Sequence, residues 1–372
     1  MRTPRLVSLL VCSLIALPLF AQLPPLFSPE IPVSDPVITA APLEQSPTAA
    51  DSNGEVALVA WEDSRSGASE AYAARIGANG AVLDPLGIRL GQGIPRAVVW
   101  NGDAFIVVLE LPVLHELVWV DAAGVIVHRR GLDVEEPFTA AIDGPEVRLL
   151  FLNSESVFSG ATRLRGVMVD PDMFDFGSEV ITLPESPVTH SDLQWIGASN
   201  GSEILVLRFQ RLTSGAGSDR LIAERIDANA DLLSSTDTGL NFYIDGADEL
   251  AGRSDGYVLV RHRRTDNPDV RSYRLTPAGM YTGETDVLGP PLPPTFADIR
   301  LVRDGAGYLF TWWAADAQQA ISRAYATVMT TEGRFGGAEL VGDWFGQIAG
   351  VAVAVENDHR TIFHGVRQRL TS

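Results

Sequence analysis

Residues Asn53–Gly91 read NGEVALVAWEDSRSGASEAYAARIGANGAVLDPLGIRLG, and this stretch decides the fold. An Asn-Gly turn opens it, followed by a run apolar at successive positions (Val56–Trp61), a polar loop, a second run (Ala71–Ile76), a second turn at Asn79-Gly80 and an edge segment. Asn-Gly favours two-residue hairpins, and with both central residues at positive φ the expected turn is type I′. β-branched and aromatic residues without clean alternation indicate strands covered on both faces.

Degenerate copies of this unit follow to the C-terminus. The opening turn recurs as Asn101-Gly102, Asp143-Gly144, Asn200-Gly201, Asp255-Gly256 and Asp304-Gly305, with an altered copy at Asn357-Asp358; the steps are 48, 42, 57, 55, 49 and 53 residues. Buried runs follow the turns at Phe105–Leu109, Val147–Leu152, Ile204–Leu207, Tyr257–Val260, Tyr308–Trp313 and Thr361–Phe363. A step of roughly 50 residues with three or four short strands matches a propeller blade, and no segment carries sustained helical periodicity. The prediction is an all-β, seven-bladed β-propeller over residues 45–372, with two β-sandwich domains as the competing architecture. The last copy ends soon after its second strand, so the N-terminal segment around Glu30–Thr39 is expected to supply a closing strand and cover an exposed sheet edge.

The N-terminus bears on export. Arg2 and Arg5 precede an apolar run, Leu6–Phe20, then Ala21-Gln22, which is the pattern of a Sec signal peptide over residues 1–21 and too short for a membrane span. Cys12, the single cysteine, lies within that run and serves as apolar filler. The mature chain therefore has no disulfide and must rest on its buried core. Residues 22–44 are Pro-rich and extended. Removal of the signal takes the formal charge from −19 to −21, and every basic residue is arginine. That balance argues against nucleic acid and favours solubility, while the signal predicts a secreted or periplasmic protein.

Trp61-Glu62-Asp63-Ser64-Arg65-Ser66-Gly67, then Tyr72 to Arg75 and Asp84 to Ile88, resembles the W-x-D-x-R-x-G … Y-x-x-R … D-x-x-G unit of secreted bacterial propeller-like proteins. The close match covers residues 53–91. It implies the fold and export and brings no catalytic residues. Asp63 and Arg65 read as a loop-internal ion pair or Asx turn, with a ligand contact at the ring mouth as the functional alternative.

Loops joining second and third strands should share one face, where binding residues collect. The expected loops are Glu62–Glu70, Glu110–Glu116, Asn153–Thr162, Arg208–Arg220, Arg261–Val270 and Ala314–Ser322. Arg261-His262-Arg263-Arg264 is the concentrated basic patch and would suit a carboxylate or uronic-acid sugar. Pairing of these arginines with neighbouring acids is the structural alternative. Trp313 ends a buried strand, with core packing as the structural alternative, and Trp344, with Phe345, is placed in an exposed connection; both are candidates for stacking on a sugar.

Other chemistry is weakly signalled. The six histidines are dispersed without metal-ligand spacing, and no Gly-rich phosphate loop or other cofactor motif is visible. Asp170-Pro171-Asp172 and Asp227–Asp231 lack the glycine and closing glutamate of a calcium loop; turn chemistry explains them, and Ca²⁺ stays open as a partner. Asp-box turns of the sialidase type are absent from the sequence. The reading that follows is a non-catalytic secreted protein recognising an extracellular glycan or protein through one loop face. A hydrolase or lyase acting on an anionic polysaccharide, with two carboxylates at the mouth, is the second hypothesis, and a scaffold module without a small-molecule ligand is the third.

Overall fold

The computed structural model describes residues 45–64, 68–142, 146–156, 162–172, 179–184, 194–210, 220–242, 248–263, 269–288, 296–304, 307–316, 321–345, 347–356 and 359–367. They form a β-propeller. Its first sheet is β1 (Gln45–Ser52), β2 (Val56–Asp63), β3 (Glu70–Gly77) and β4 (Ile88–Gln92); the second is β5 (Ile94–Trp100), β6 (Ala104–Glu110), β7 (His115–Asp121) and β8 (Ile126–Leu132). The third is β9 (Phe138–Ile142), β10 (Arg148–Ser156), β11 (Thr162–Val169) and β12 (Glu179–Thr182); the fourth is β13 (Trp195–Ser199), β14 (Glu203–Gln210), β15 (Arg220–Asp227) and β16 (Leu232–Asp237). The fifth is β17 (Asp248–Arg253), β18 (Gly256–Arg263), β19 (Asp269–Leu275) and β20 (Tyr281–Val287); the sixth is β21 (Phe296–Asp304), β22 (Gly307–Asp316), β23 (Ile321–Met329) and β24 (Glu339–Phe345). These six blades are antiparallel meanders in sequence order. A two-stranded sheet follows, β25 (Gln347–Glu356) with β26 (His359–Arg367), and β25 lies against both β21 and β1, so the ends of the described chain meet. The proposed closing segment Glu30–Thr39 lies outside the described residues.

Apolar residues at successive positions of the middle strands are explained by two neighbours per blade. In β6, Phe105, Val107 and Leu109 pack against the first blade, in a core with Leu58, Ala60, Ala71 and Ala73. Ile106 and Val108 point the other way and join Leu149 and Phe151 of the third blade. The blades thus stack face to face, each inter-blade layer forming its own core.

The opening turns differ from expectation in one respect. Gly54, Gly102 and Gly201 have φ of 92°, 96° and 98°, whereas the preceding asparagines are not left-handed. Positive φ at the first central position alone is the type II′ pattern, not type I′. Asparagine serves through its side chain instead: Asn53 Oδ1 accepts from the Glu55 and Val56 amides at 3.0 and 2.9 Å, and Asn101 and Asn200 repeat the arrangement. In the fifth blade the phase shifts. Arg253 pairs with Gly256, so Ser254-Asp255 makes the bend and Gly256 opens β18.

The second turns of blades 2, 5 and 6 dock onto the blade before them. Gly124, Gly279 and Gly333 are all left-handed, and a Cβ on Gly279 would lie 2.3 Å from the Ala223 Cβ. Ser272 Oγ donates to the Gly333 carbonyl, and Arg75 Nη1 donates to the Ala122 carbonyl at 2.8 Å. Glycine is needed here twice, for its φ and for close approach. Toward the axis the innermost strands also crowd: a Cβ on Gly252 would lie 2.5 Å from the Ser199 carbonyl oxygen.

Candidate functional site

Because every blade runs in the same sense, loops between second and third strands and the blade-to-blade connections share one end of the ring. The hairpins extend further than the sequence suggested. Arg261, His262 and Arg263 lie in β18 rather than in a loop, and β19 resumes at Asp269.

In-strand placement separates the basic patch. His262 is 3% exposed and shares its side of β18 with Val258 and Val260, which pack toward the sixth blade; it is not presented at the ring mouth. Arg261 points toward the fourth blade with Leu259 and Tyr257. Its guanidinium lies over the Phe242 ring, 4.3 Å from the centroid. Among the described residues it makes no hydrogen bond or ion pair, and its Nε is buried without a partner. Arg271 stands directly opposite on β19 and is held by Asp269 at 2.7 Å; Asp248 stands opposite on β17. Phe242 continues into an aromatic row, 5.0 Å from Tyr273, which is 6.0 Å from Tyr281. Arg263 pairs with Asp269 in the ladder, and Arg264 lies outside the described residues.

The remaining candidates scatter. Asp63 is fully buried and accepts from Trp61 Nε1 at 3.2 Å, and Arg65 lies outside the described residues. Trp61 stacks on Tyr72, and a Cβ on Gly87 would touch both rings at 3.1–3.2 Å. Arg75 binds Asp84 through Nε and Nη2, both at 2.8 Å. Several residues of the motif that resembles other propeller-like proteins therefore build the blade. Trp313 is half-buried against Leu309, Ala324 and Ala326 on the far side of the sixth blade, with Nε1 buried and unpartnered. Trp344 and Phe345 end β24, opposite Ser322 and Ile321, and not in a connection.

The two acidic turns weighed as Ca²⁺ positions make local contacts. Asp227 Oδ1 accepts from the amides of Asn229 and Asp231, both at 2.9 Å, and Asp170 pairs with Arg148 at 2.9 Å. Among the described residues no group of three or more His, Cys, Asp or Glu is placed to hold a metal. At the loop end, Glu110 pairs with Arg96 and Glu70 with Arg89, while Glu249 reaches Arg300 on the next blade at 3.1 Å.

Sequence reasoning missed Arg208. This residue is 3% exposed, and its Nη2 donates to Glu224 Oε1 at 2.8 Å; Glu224 is fully buried. Among the described residues Arg208 Nε and Nη1 and Glu224 Oε2 have no hydrogen-bond partner. The available signal was register: Arg208 lies four residues beyond Ile204, which pairs with the last residue of its inner strand, as Arg261 lies four beyond Tyr257, which pairs with the last but one.

The fold and this end of the ring define the class as a β-propeller. No protein-family model matches the chain, and no curated protein matches it in sequence. Solved structures do. The β-propeller domain of the Trilobed protease from Pyrococcus furiosus, described as having an open velcro topology, is similar with a TM-score of 0.50 and 10% identity over 88% of this chain and 96% of that one. Pyrococcus horikoshii acylaminoacyl peptidase gives 0.50 and 10% over 84% of this chain and 48% of the peptidase. A prolyl endopeptidase gives 0.52 and 12% over 87% of this chain and 45% of that one. The chain thus spans about half the length of these two peptidases, and at such identities the likeness shows the fold alone.

Proposed function

We propose that this chain is an exported, non-catalytic binding protein that recognises an extracellular glycan or protein through the loop end of its ring. The observation that supports this reading is Arg261, a half-buried arginine at that end, stacked on Phe242 without a hydrogen-bond partner among the described residues. Burying guanidinium N–H groups unsatisfied costs free energy that an incoming acceptor returns. Several carboxylates at the same end, those of Glu70, Glu110, Glu249 and Asp269, are held by arginines, which favours recognition over acid–base chemistry.

The ring itself is proposed to hold seven blades, with β25 and β26 forming the inner half of the last and the segment around Glu30–Thr39 adding a strand. Its support is the position of β25 between β21 and β1. A truncation starting at Ala41 then lowers the melting temperature by many degrees, and an unchanged melting temperature overturns the closure.

The binding reading is tested by glycan-array and extracellular-protein-array binding of the mature chain, with Arg261→Ala, Arg263→Ala and Trp344→Ala variants. Reproducible binding weakened by these loop-end changes supports it. Silence on both arrays, or hydrolysis of an anionic polysaccharide, overturns it.

A further inference from the structure

Blades 4 and 5 place an arginine at the same position and satisfy it differently. Aligning their ladders, with Ile204↔Ile226 on Tyr257↔Leu275, puts Arg208 on Arg261, Glu224 on Tyr273, Ile222 on Arg271 and Trp195 on Asp248. In blade 4 the guanidinium meets the Glu224 carboxylate within the sheet. Blade 5 has no such carboxylate: Tyr273 takes the place of Glu224, and a second cation, Arg271, takes the place of Ile222.

Two arginines directly opposed across strands repel each other unless an anion lies between or beside them. Asp269 engages Arg271 through Nε and Nη2, and among the described residues Arg261 has no counter-ion in ion-pair contact. The Phe242 ring covers one face of the Arg261 guanidinium, which leaves its N–H edge, the part that binds a carboxylate as a fork. Tyr273 and Tyr281, both half-buried, continue the apolar floor beside it.

We infer that the cleft between blades 4 and 5, at the loop end, binds the carboxylate of an acidic sugar. Arg261 takes the carboxylate as Arg208 takes that of Glu224 through Nη2, Arg271 adds positive potential, and the Phe242–Tyr273 row takes the apolar face of the ring. This deepens the binding reading above and rests on it, naming a ligand class and a place.

The test is titration calorimetry of the mature protein with oligogalacturonate, a neutral oligosaccharide of equal length and an acidic peptide, for wild type, Arg261→Gln and Tyr273→Glu. Thermal melts check folding of each variant. The expected result is binding of oligogalacturonate alone, weakened at least tenfold by Arg261→Gln and by high salt. Tyr273→Glu rebuilds the arrangement of blade 4, so it should weaken binding at least tenfold while holding or raising the melting temperature. Equal binding of the neutral sugar, binding that is indifferent to both substitutions, or no binding of oligogalacturonate overturns the inference. Preference for the acidic peptide also overturns it, yet keeps a protein-recognising loop face, so the two readings fail separately.

Discussion

Arg75 of β3 and Asp84 of the β3–β4 connection fasten that connection to its strand and, through the same guanidinium, tie the first blade to the second. Asp84 Oδ2 accepts from the Arg75 amide and Nε at 2.9 and 2.8 Å, Oδ1 accepts from Nη2, and Arg75 Nη1 continues to the Ala122 carbonyl. Burial pushes the Asp84 carboxyl up, but the hydrogen bonds and charge of Arg75 outweigh it and hold the group below its ordinary value. A carboxyl lowered on folding stabilises fully above its unfolded value, about 3.9, and loses that contribution as pH falls through the folded value. Asp84→Asn should therefore cost about 1–3 kcal/mol at neutral pH, the range for hydrogen bonds to charged groups and their loss. The gap between wild type and variant should begin to narrow below about pH 4 and keep narrowing as pH falls through the lowered folded value. Urea midpoints at pH 7 and pH 3 check both; a gap undiminished at pH 3 rejects the ionic account.

Gly279 and Gly102 separate two demands on glycine. Both are left-handed, at φ of 80° and 96°, but a Cβ on Gly102 meets nothing within 4 Å and one on Gly279 meets Ala223 at 2.3 Å. Gly102→Ala should cost about 1–2 kcal/mol from backbone strain. Gly279→Ala should cost about 1–3 kcal/mol more, because the turn can no longer dock on blade 4. Equal losses in chemical denaturation would show that docking tolerates the methyl.

Blades were legible because turns repeat at a blade's spacing and the middle strands are apolar at successive positions. The innermost strands were not. Gln45–Ser52 reads QSPTAADS and Asp248–Arg253 reads DELAGR, polar and small, because strands converging near the axis leave room for little more than Ala or Gly. Strand ends were misplaced for a related reason: Arg261 and His262 are polar and suggest a loop, yet the ladder runs through them to Arg263. The patch could be seen in sequence, but not its division between two faces of one strand, since that depends on the pleat. Arg208 was hidden because its meaning lies in Glu224, sixteen residues away.

Ala230 is the one described non-glycine residue with positive φ, at 65°, and its amide donates to the Asp227 carbonyl as Gly124, Gly279 and Gly333 donate in their own blades. Left-handed alanine costs roughly 1–2 kcal/mol, against roughly 0.4–1 kcal/mol of added unfolded-chain entropy for glycine. Ala230→Gly should accordingly stabilise by up to about 1 kcal/mol, whereas Ala230→Val, β-branched at positive φ, should destabilise by more than that. Paired urea titrations decide; destabilisation by glycine would mean that the Ala230 methyl, packed beside the core between blades 3 and 4, outweighs the strain.

Arg208 and Glu224 are charges within an apolar layer between blades 3 and 4, among Ile204, Val206, Ile226 and Leu164. Desolvating both ions consumes much of their attraction, so the intact pair adds little net stability, while breaking it strands a buried charge. Arg208→Met alone should cost about 3–5 kcal/mol, and Arg208→Met with Glu224→Leu should return to wild-type stability or exceed it by about 1–4 kcal/mol. A double-mutant cycle in urea reads this directly. A double variant no more stable than Arg208→Met would show that the pair holds the two blades in place, and its retention would then follow from stability. Recovery points the other way, to an ion pair kept for orientation rather than strength. On that outcome Arg261 of the next blade, stacked on Phe242 and facing Arg271, lacks the internal partner that orients Arg208.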